Sequence, residues 1–141
     1  MSKTAETSNA PDTSITIAAL LADHPAHEVA DEALAGCATT IAHVAAETYS
    51  VLTRLPPPHR TEAETAATAI EARLPSKHVT LNASDHAGAP ARLAAAGISG
   101  GATYDGLIAL AALEHDLELL SRDHRAARTY RALGARFKLI A

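Results

Sequence analysis

The apolar residues of this chain change period repeatedly, and that alternation limits the fold more than any single motif. Residues 78–82 (HVTLN) and 117–121 (LELLS) read as strands, as do the shorter stretches 37–40 and 137–140. Helical spacing is expected over 15–22, 26–35, 41–55, 61–74, 84–96, 104–115 and 125–133. Residues 41–55 carry the clearest pattern. Ile41, Val44, Thr48, Val51, Leu52 and Leu55 fall on one helical face, and Pro56-Pro57-Pro58 ends the run. Thr61 with Glu64 three residues on has the form of a capping box. Strands separated by helices of this length predict βα units, hence an α/β domain with a central, mostly parallel sheet of four or five strands. Residues 1–11 are polar and without period, so a flexible tail is expected there, followed by one domain over 12–141.

Composition removes several classes of function. Hydrophobic residues supply 48% of the chain, enough for a core, but no run of 18 apolar residues exists to span a bilayer. The N-terminal stretch lacks the apolar region of a secretory signal, which predicts a cytoplasmic protein with no membrane partner. The single cysteine, Cys37, makes neither an internal disulfide nor a thiolate metal cage, and is expected to be a small buried apolar residue. Eight histidines are present, among them His24 and His27, but without the spacing of a zinc site they are expected to be exposed or capping. No phosphate-binding GxxxxGK loop, GxGxxG turn or GxSxG elbow occurs.

Four acids stand out, three of them where chemistry collects in a parallel sheet, beyond the carboxyl ends of the strands. Asp12 precedes the first apolar run, in Asp12-Thr13-Ser14. Asp105 lies in the first turn of the most apolar helix, after Gly100-Gly101, and Asp123 follows LELLS by two residues. Glu47 borders the apolar stripe of the periodic helix. Each alone reads better as a cap, turn or partly solvated helix residue. Together they are carboxylates that repel one another unless a cation joins them, and hard oxygen donors without thiolate suit Mg²⁺ or Mn²⁺.

These segments resemble the PIN-domain family and, within it, the VapC toxins of toxin–antitoxin pairs. The resemblance covers residues 12–141. It rests on Asp12-Thr13-Ser14, residues 46–52 (AETYSVL), residues 100–109 (GGATYDGLIA) and residues 119–123 (LLSRD), in the family's order. It implies a three-layer α/β/α domain and a metal-dependent endoribonuclease acting on RNA such as tRNA or rRNA. Asp12, Glu47, Asp105 and Asp123 would be the catalytic and metal-binding acids. Thr13, Ser14 and Ser121 would orient carboxylates or water. The implied partners are a second copy of the chain, as a homodimer, and a cognate VapB-like antitoxin whose C-terminal segment blocks the acidic pocket. The chain departs from the family before Asp12. An apolar strand is usual there, whereas residues 6–11 are polar and Pro11 cannot donate a ladder hydrogen bond, so a short or poorly paired first strand is expected. That departure keeps open a non-catalytic partner-binding module of the same fold. A metal-dependent phosphatase or DNA nuclease is a third reading. Gly106, where the family more often has Ala, should cost its helix about 1 kcal/mol at most.

The charge is unevenly spread. The net of −4 suggests a poor nucleic-acid binder, yet six of the twelve Lys and Arg fall between Arg122 and Lys138. Arg122, Arg125 and Arg128 would form a phosphate-contacting rim beside the acids. With only three Tyr, one Phe and no Trp, RNA would be held through its backbone more than by base stacking.

Overall fold

A computed structural model describes residues 8–141, so most of the expected tail, residues 1–7, lies outside the described residues. Residues 8–11 do not belong to a tail: they form strand β1 (Ser8–Pro11), parallel to β4 (Leu117–Ser121) and in register Ser8 with Leu117 through Pro11 with Leu120. The proline is tolerated for a geometric reason. The Asp12 N–H donates to Leu120 O at 2.9 Å, whereas Asn9 O faces the other way and accepts from Ala38 N–H at 3.4 Å. Alternation along a strand puts the missing N–H of Pro11 on the side of Asn9, away from β4.

On that other side lies β2 (Thr40–Ile41), which pairs with β3 (His78–Val79); β5 (Phe137–Leu139) pairs with the far side of β4. The five strands thus form a three-stranded sheet, β1-β4-β5, and a two-stranded sheet, β2-β3, in place of one continuous ladder. All of these pairings are parallel. The expected strands over 37–40 and 78–82 shrink to two residues each, because β2 runs at once into a helix.

Helices cover both faces. On one side pack α1 (Thr13–Leu20), α2 (His27–Ala35) and α4 (Ala63–Arg73), around Ile15, Ala18, Ala30, Leu34 and Leu120. On the other pack α6 (Ala89–Ala95), α7 (Ala102–Glu114) and α8 (His124–Leu133), around Leu93, Ile108, Leu117, Leu119 and Tyr130. Within β4, Leu119 and Leu120 enter opposite cores, as the two-residue period of a strand requires. Between the layers, α3 (Ala42–Arg54) buries Val44, Thr48 and Leu52 and stops at Leu55, held extended by the following proline. This is the expected α/β/α arrangement.

Two local expectations fail. The capping box at Thr61 does not form: Glu62 stands at the start of α4 with no side-chain cap, and the Thr61 N–H donates instead to Leu52 O at 2.9 Å. The single helix expected over 84–96 is two, α5 (Ala83–Ala87) and α6, because Pro90 has no N–H to continue the ladder across Gly88. Gly106 also has a packing role. A Cβ there would meet Leu93 Cδ2 at 2.4 Å, so the glycine admits the α6 leucine against α7.

Candidate active site

Parallel pairing delivers the ends of β1 and β4 to one edge, and the polar residues gather there. A cleft of about 370 Å³ is lined by Asp12, Thr13, Ser14, Ile17, His24, Glu47, Asp105, Arg122 and Asp123. The four acids singled out in the sequence therefore face one space, from the β1–α1 junction, α3, α7 and the β4–α8 junction.

Asp12 is 2% exposed. It is the N-cap of α1, where its Oδ1 accepts from the Ser14 and Ile15 N–H groups and from Ser14 Oγ at 2.5 Å. Its Oδ2 accepts from the hydroxyl of Tyr130 at 2.7 Å. Burial pushes the carboxyl above the usual range, against the opposing pull of Ser121, Ser14, Tyr130 and the Ile15 N–H. The same burial, with Asp12 beside it, pushes the Tyr130 hydroxyl far up, so it stays protonated and donates.

Asp123 caps α8 in the same manner, accepting from Arg125 N–H at 2.9 Å and Ala126 N–H at 3.2 Å. Ser121 is fully buried beneath it and accepts from Asp123 N–H at 3.0 Å. Ser14 Oγ lies 3.5 Å from Ser121 Oγ and accepts from Arg122 N–H at 2.8 Å, tying α1 to the end of β4. The third hydroxyl, Thr13, donates to Glu47, and one turn on the Thr16 and Thr48 hydroxyls, 2.6 Å apart, join α1 to α3.

Asp105 has no hydrogen-bond donor among the described residues and sits half-buried at the start of α7. Burial raises its pKa from 3.8 to about 6, helped by the charges of Glu47, Asp123 and Asp12. A site where one carboxylate is held back by three others can accept positive charge. The donors are hard oxygens, which suits a divalent ion such as Mg²⁺ or Mn²⁺. As placed, however, no three His, Cys, Asp or Glu side chains among the described residues group closely enough to hold a metal ion. A cation there would have to draw the carboxylates together.

The basic residues divide. Arg122 lines the cleft, while Arg125 and Arg128 are exposed on α8 outside its lining. Further along, Arg131 lies over the Phe137 ring at 5.2 Å and Arg136 pairs with Asp116 at 2.7 Å, so the run from Arg122 to Lys138 is not one rim. Cys37 is only part-buried; its thiol, pushed up to about 12 by burial, donates to Ala33 O at 3.4 Å. Sequence reasoning missed Tyr130 and left His24 among exposed or capping histidines. Tyr130 is the largest fully buried side chain, and a buried phenol needs a hydrogen-bond partner, which was the available signal.

Comparison with known proteins finds related sequences. The profile of the PIN domain family matches residues 10–132. The chain is 43% identical over 135 residues to "Ribonuclease VapC40" of Mycobacterium tuberculosis (strain ATCC 25618 / H37Rv), covering 93% of this chain and 98% of that protein. It is 41% identical over 132 residues to "Ribonuclease VapC27" of the same strain, covering 89% and 91%.

Proposed function

The chain belongs to the PIN domain family, and on that premise we propose that it is a VapC-like endoribonuclease toxin: an RNA-cleaving hydrolase, dependent on Mg²⁺ or Mn²⁺, held in check by a cognate VapB-like antitoxin. The observation that carries the reading is the convergence of Asp12, Glu47, Asp105 and Asp123 on one cleft, where burial and then the neighbouring charges raise Asp105. RNA such as tRNA or rRNA is the substrate.

Asp12, Glu47, Asp105 and Asp123 would hold the ion. Bound there, a divalent cation supplies activation of a water and stabilisation of charge on the phosphate. The chain's own residues prepare that site. Tyr130 and Ser14 fix the rotamer of Asp12, the α8 N-terminus fixes Asp123, and Thr13 fixes Glu47, so little ordering remains when substrate arrives. Arg122 meets the phosphate backbone from the cleft, with Arg125 and Arg128 as outer contacts. The non-catalytic alternative loses its motive, since β1 pairs with β4 and the backbone at Asp12 is bonded into the sheet. A homodimer belongs to the same reading; Tyr49, Tyr104 and Leu113 are the exposed large apolar side chains among the described residues.

The test compares wild type with Asp105→Asn on tRNA and rRNA with Mg²⁺ or Mn²⁺ supplied, alongside calorimetric titration of each ion. Cleavage and ion binding by wild type, both lost in Asp105→Asn, are expected. Equal cleavage by the two proteins, or none by either with any divalent ion, overturns the proposal. Light scattering reads the dimer.

A further inference from the structure

We infer that His24 is a phosphate-backbone contact in the substrate cleft, beyond its acidic centre; this rests on the ribonuclease reading above.

His24 lies in the turn between α1 and α2 and lines the same cleft as the four acids. The turn is fixed around it. Its N–H donates to Leu21 O at 3.0 Å, and its carbonyl accepts from His27 N–H at 2.9 Å. The ring is fixed as well, because Nδ1 accepts from the Ala26 N–H at 3.0 Å. A nitrogen that accepts carries no proton, so the neutral ring is the tautomer with hydrogen on Nε2. No described residue bonds to Nε2.

The position sets what this donor meets. Thr13 and Ile17, one helical turn apart, both line the cleft, so the cleft follows α1. Asp12 caps one end of that helix and His24 follows the other. Eight helical residues rise about 12 Å, so Asp12 and His24 belong to opposite ends of α1. An RNA strand with its scissile phosphodiester at the acids would pass Ile17 and set a flanking phosphate near His24. The residue type fits that place. The imidazole Nε2–H donates to a phosphate oxygen.

Two substitutions separate this role from support of the turn. In His24→Asn the amide oxygen takes the place of Nδ1 and still accepts from Ala26 N–H, but nothing donates at the Nε2 position. His24→Gln does the reverse. With a single-stranded RNA long enough to run the length of α1, His24→Asn should raise KM about tenfold, the loss of one hydrogen bond to a charged group, with kcat and melting temperature near wild type. His24→Gln should recover most of the KM while melting lower. A diribonucleotide, which has no flanking phosphodiester, should be cleaved alike by all three proteins. Wild-type KM for His24→Asn on the long RNA overturns the inference. If wild type and Asp105→Asn cleave alike, it is the ribonuclease reading that fails. His24 is then judged by fluorescence anisotropy with the same long RNA, where equal affinity of wild type and His24→Asn overturns the inference.

Discussion

The two walls of the acidic cleft both present carboxylates and hold them in opposite ways. On the wall formed by the ends of β1 and β4, Asp12 and Asp123 are N-caps, and Ser14, Ser121 and Tyr130 complete a network around them. On the wall formed by α3 and α7, Glu47 takes a single bond from Thr13 and Asp105 takes none from the described residues. The first wall is part of the scaffold, so its acids contribute to folding as well as to the site. The second wall has only that one bond to its acids, and the charge of Asp105 opposes folding until something positive arrives. Substitution should therefore separate the walls: stability and activity fall together on one, and move in opposite directions on the other.

The largest effect is expected from Asp12→Ala. It removes a helix cap, worth about 1 kcal/mol, and leaves the buried Tyr130 hydroxyl without its acceptor, worth about 1–3 kcal/mol more. Urea denaturation should show a loss of about 2–4 kcal/mol together with loss of RNA cleavage. Stability within about 0.5 kcal/mol of wild type, the range of a neutral surface change, would mean that the first wall is not part of the scaffold.

Asp105→Asn should behave in the opposite sense. The carboxyl is raised from 3.8 to about 6, chiefly by burial and then by Glu47, Asp123 and Asp12. Such a shift is worth at most about 3 kcal/mol, and discounting for its half-exposed position leaves about 1 kcal/mol. Without divalent ions at pH 7.5 the variant should be more stable than wild type by about that amount while losing cleavage. The pH dependence follows from the same group. The folded chain holds its proton more tightly than the unfolded chain does, so the stability this gives is complete below pH 3.8 and is lost as pH rises through about 6. Asp12 acts in the same direction. Wild type free of divalent ions should gain stability as pH falls from 7.5 to 5, and Asp105→Asn should flatten that gain. Stabilisation by Mg²⁺ should weaken over the same window, because the proton competes for the carboxylate. Thermal melts at several pH values, with Mg²⁺ or a chelator, read both trends.

The walls were also unequally legible in the sequence. Asp12, Asp105 and Asp123 are short-range signals, each a polar residue where an apolar segment changes period, so local pattern located them. Glu47 stood out because it borders the stripe of α3. What joins these residues is long-range. Tyr130 lies 118 residues from Asp12 in sequence, and on α8 it continues the face of Ala126 and Ala127, so pattern alone made it an ordinary core residue. His24 was hidden because its placement depends on how the α1–α2 turn bends over the cleft. At β1, polarity and Pro11 argued against a strand. Local composition could not show that the missing N–H of Pro11 points away from β4. The α5–α6 break was legible from Pro90, but the alanine-rich stretch around it read as one helix.

The finest probe of the first wall is Tyr130→Phe. The ring keeps its packing against Phe137, with centroids 6.0 Å apart, so no cavity opens and only the hydroxyl is lost. Asp12 then keeps its bonds from Ser14 and the Ile15 N–H through Oδ1, while Oδ2 loses the donor on its buried side. The cost should be about 1 kcal/mol, the net worth of one hydrogen bond, against the larger loss in Asp12→Ala. The carboxylate form of Asp12 suffers most, since its charge loses a donor in a buried site. Cleavage should therefore fall more than stability does, and its acid limb should move to higher pH. A double-mutant cycle of Tyr130→Phe with Asp12→Ala gives the coupling directly. Additive losses would mean that the tyrosine only fills space, and that the first wall is held by its helix caps alone.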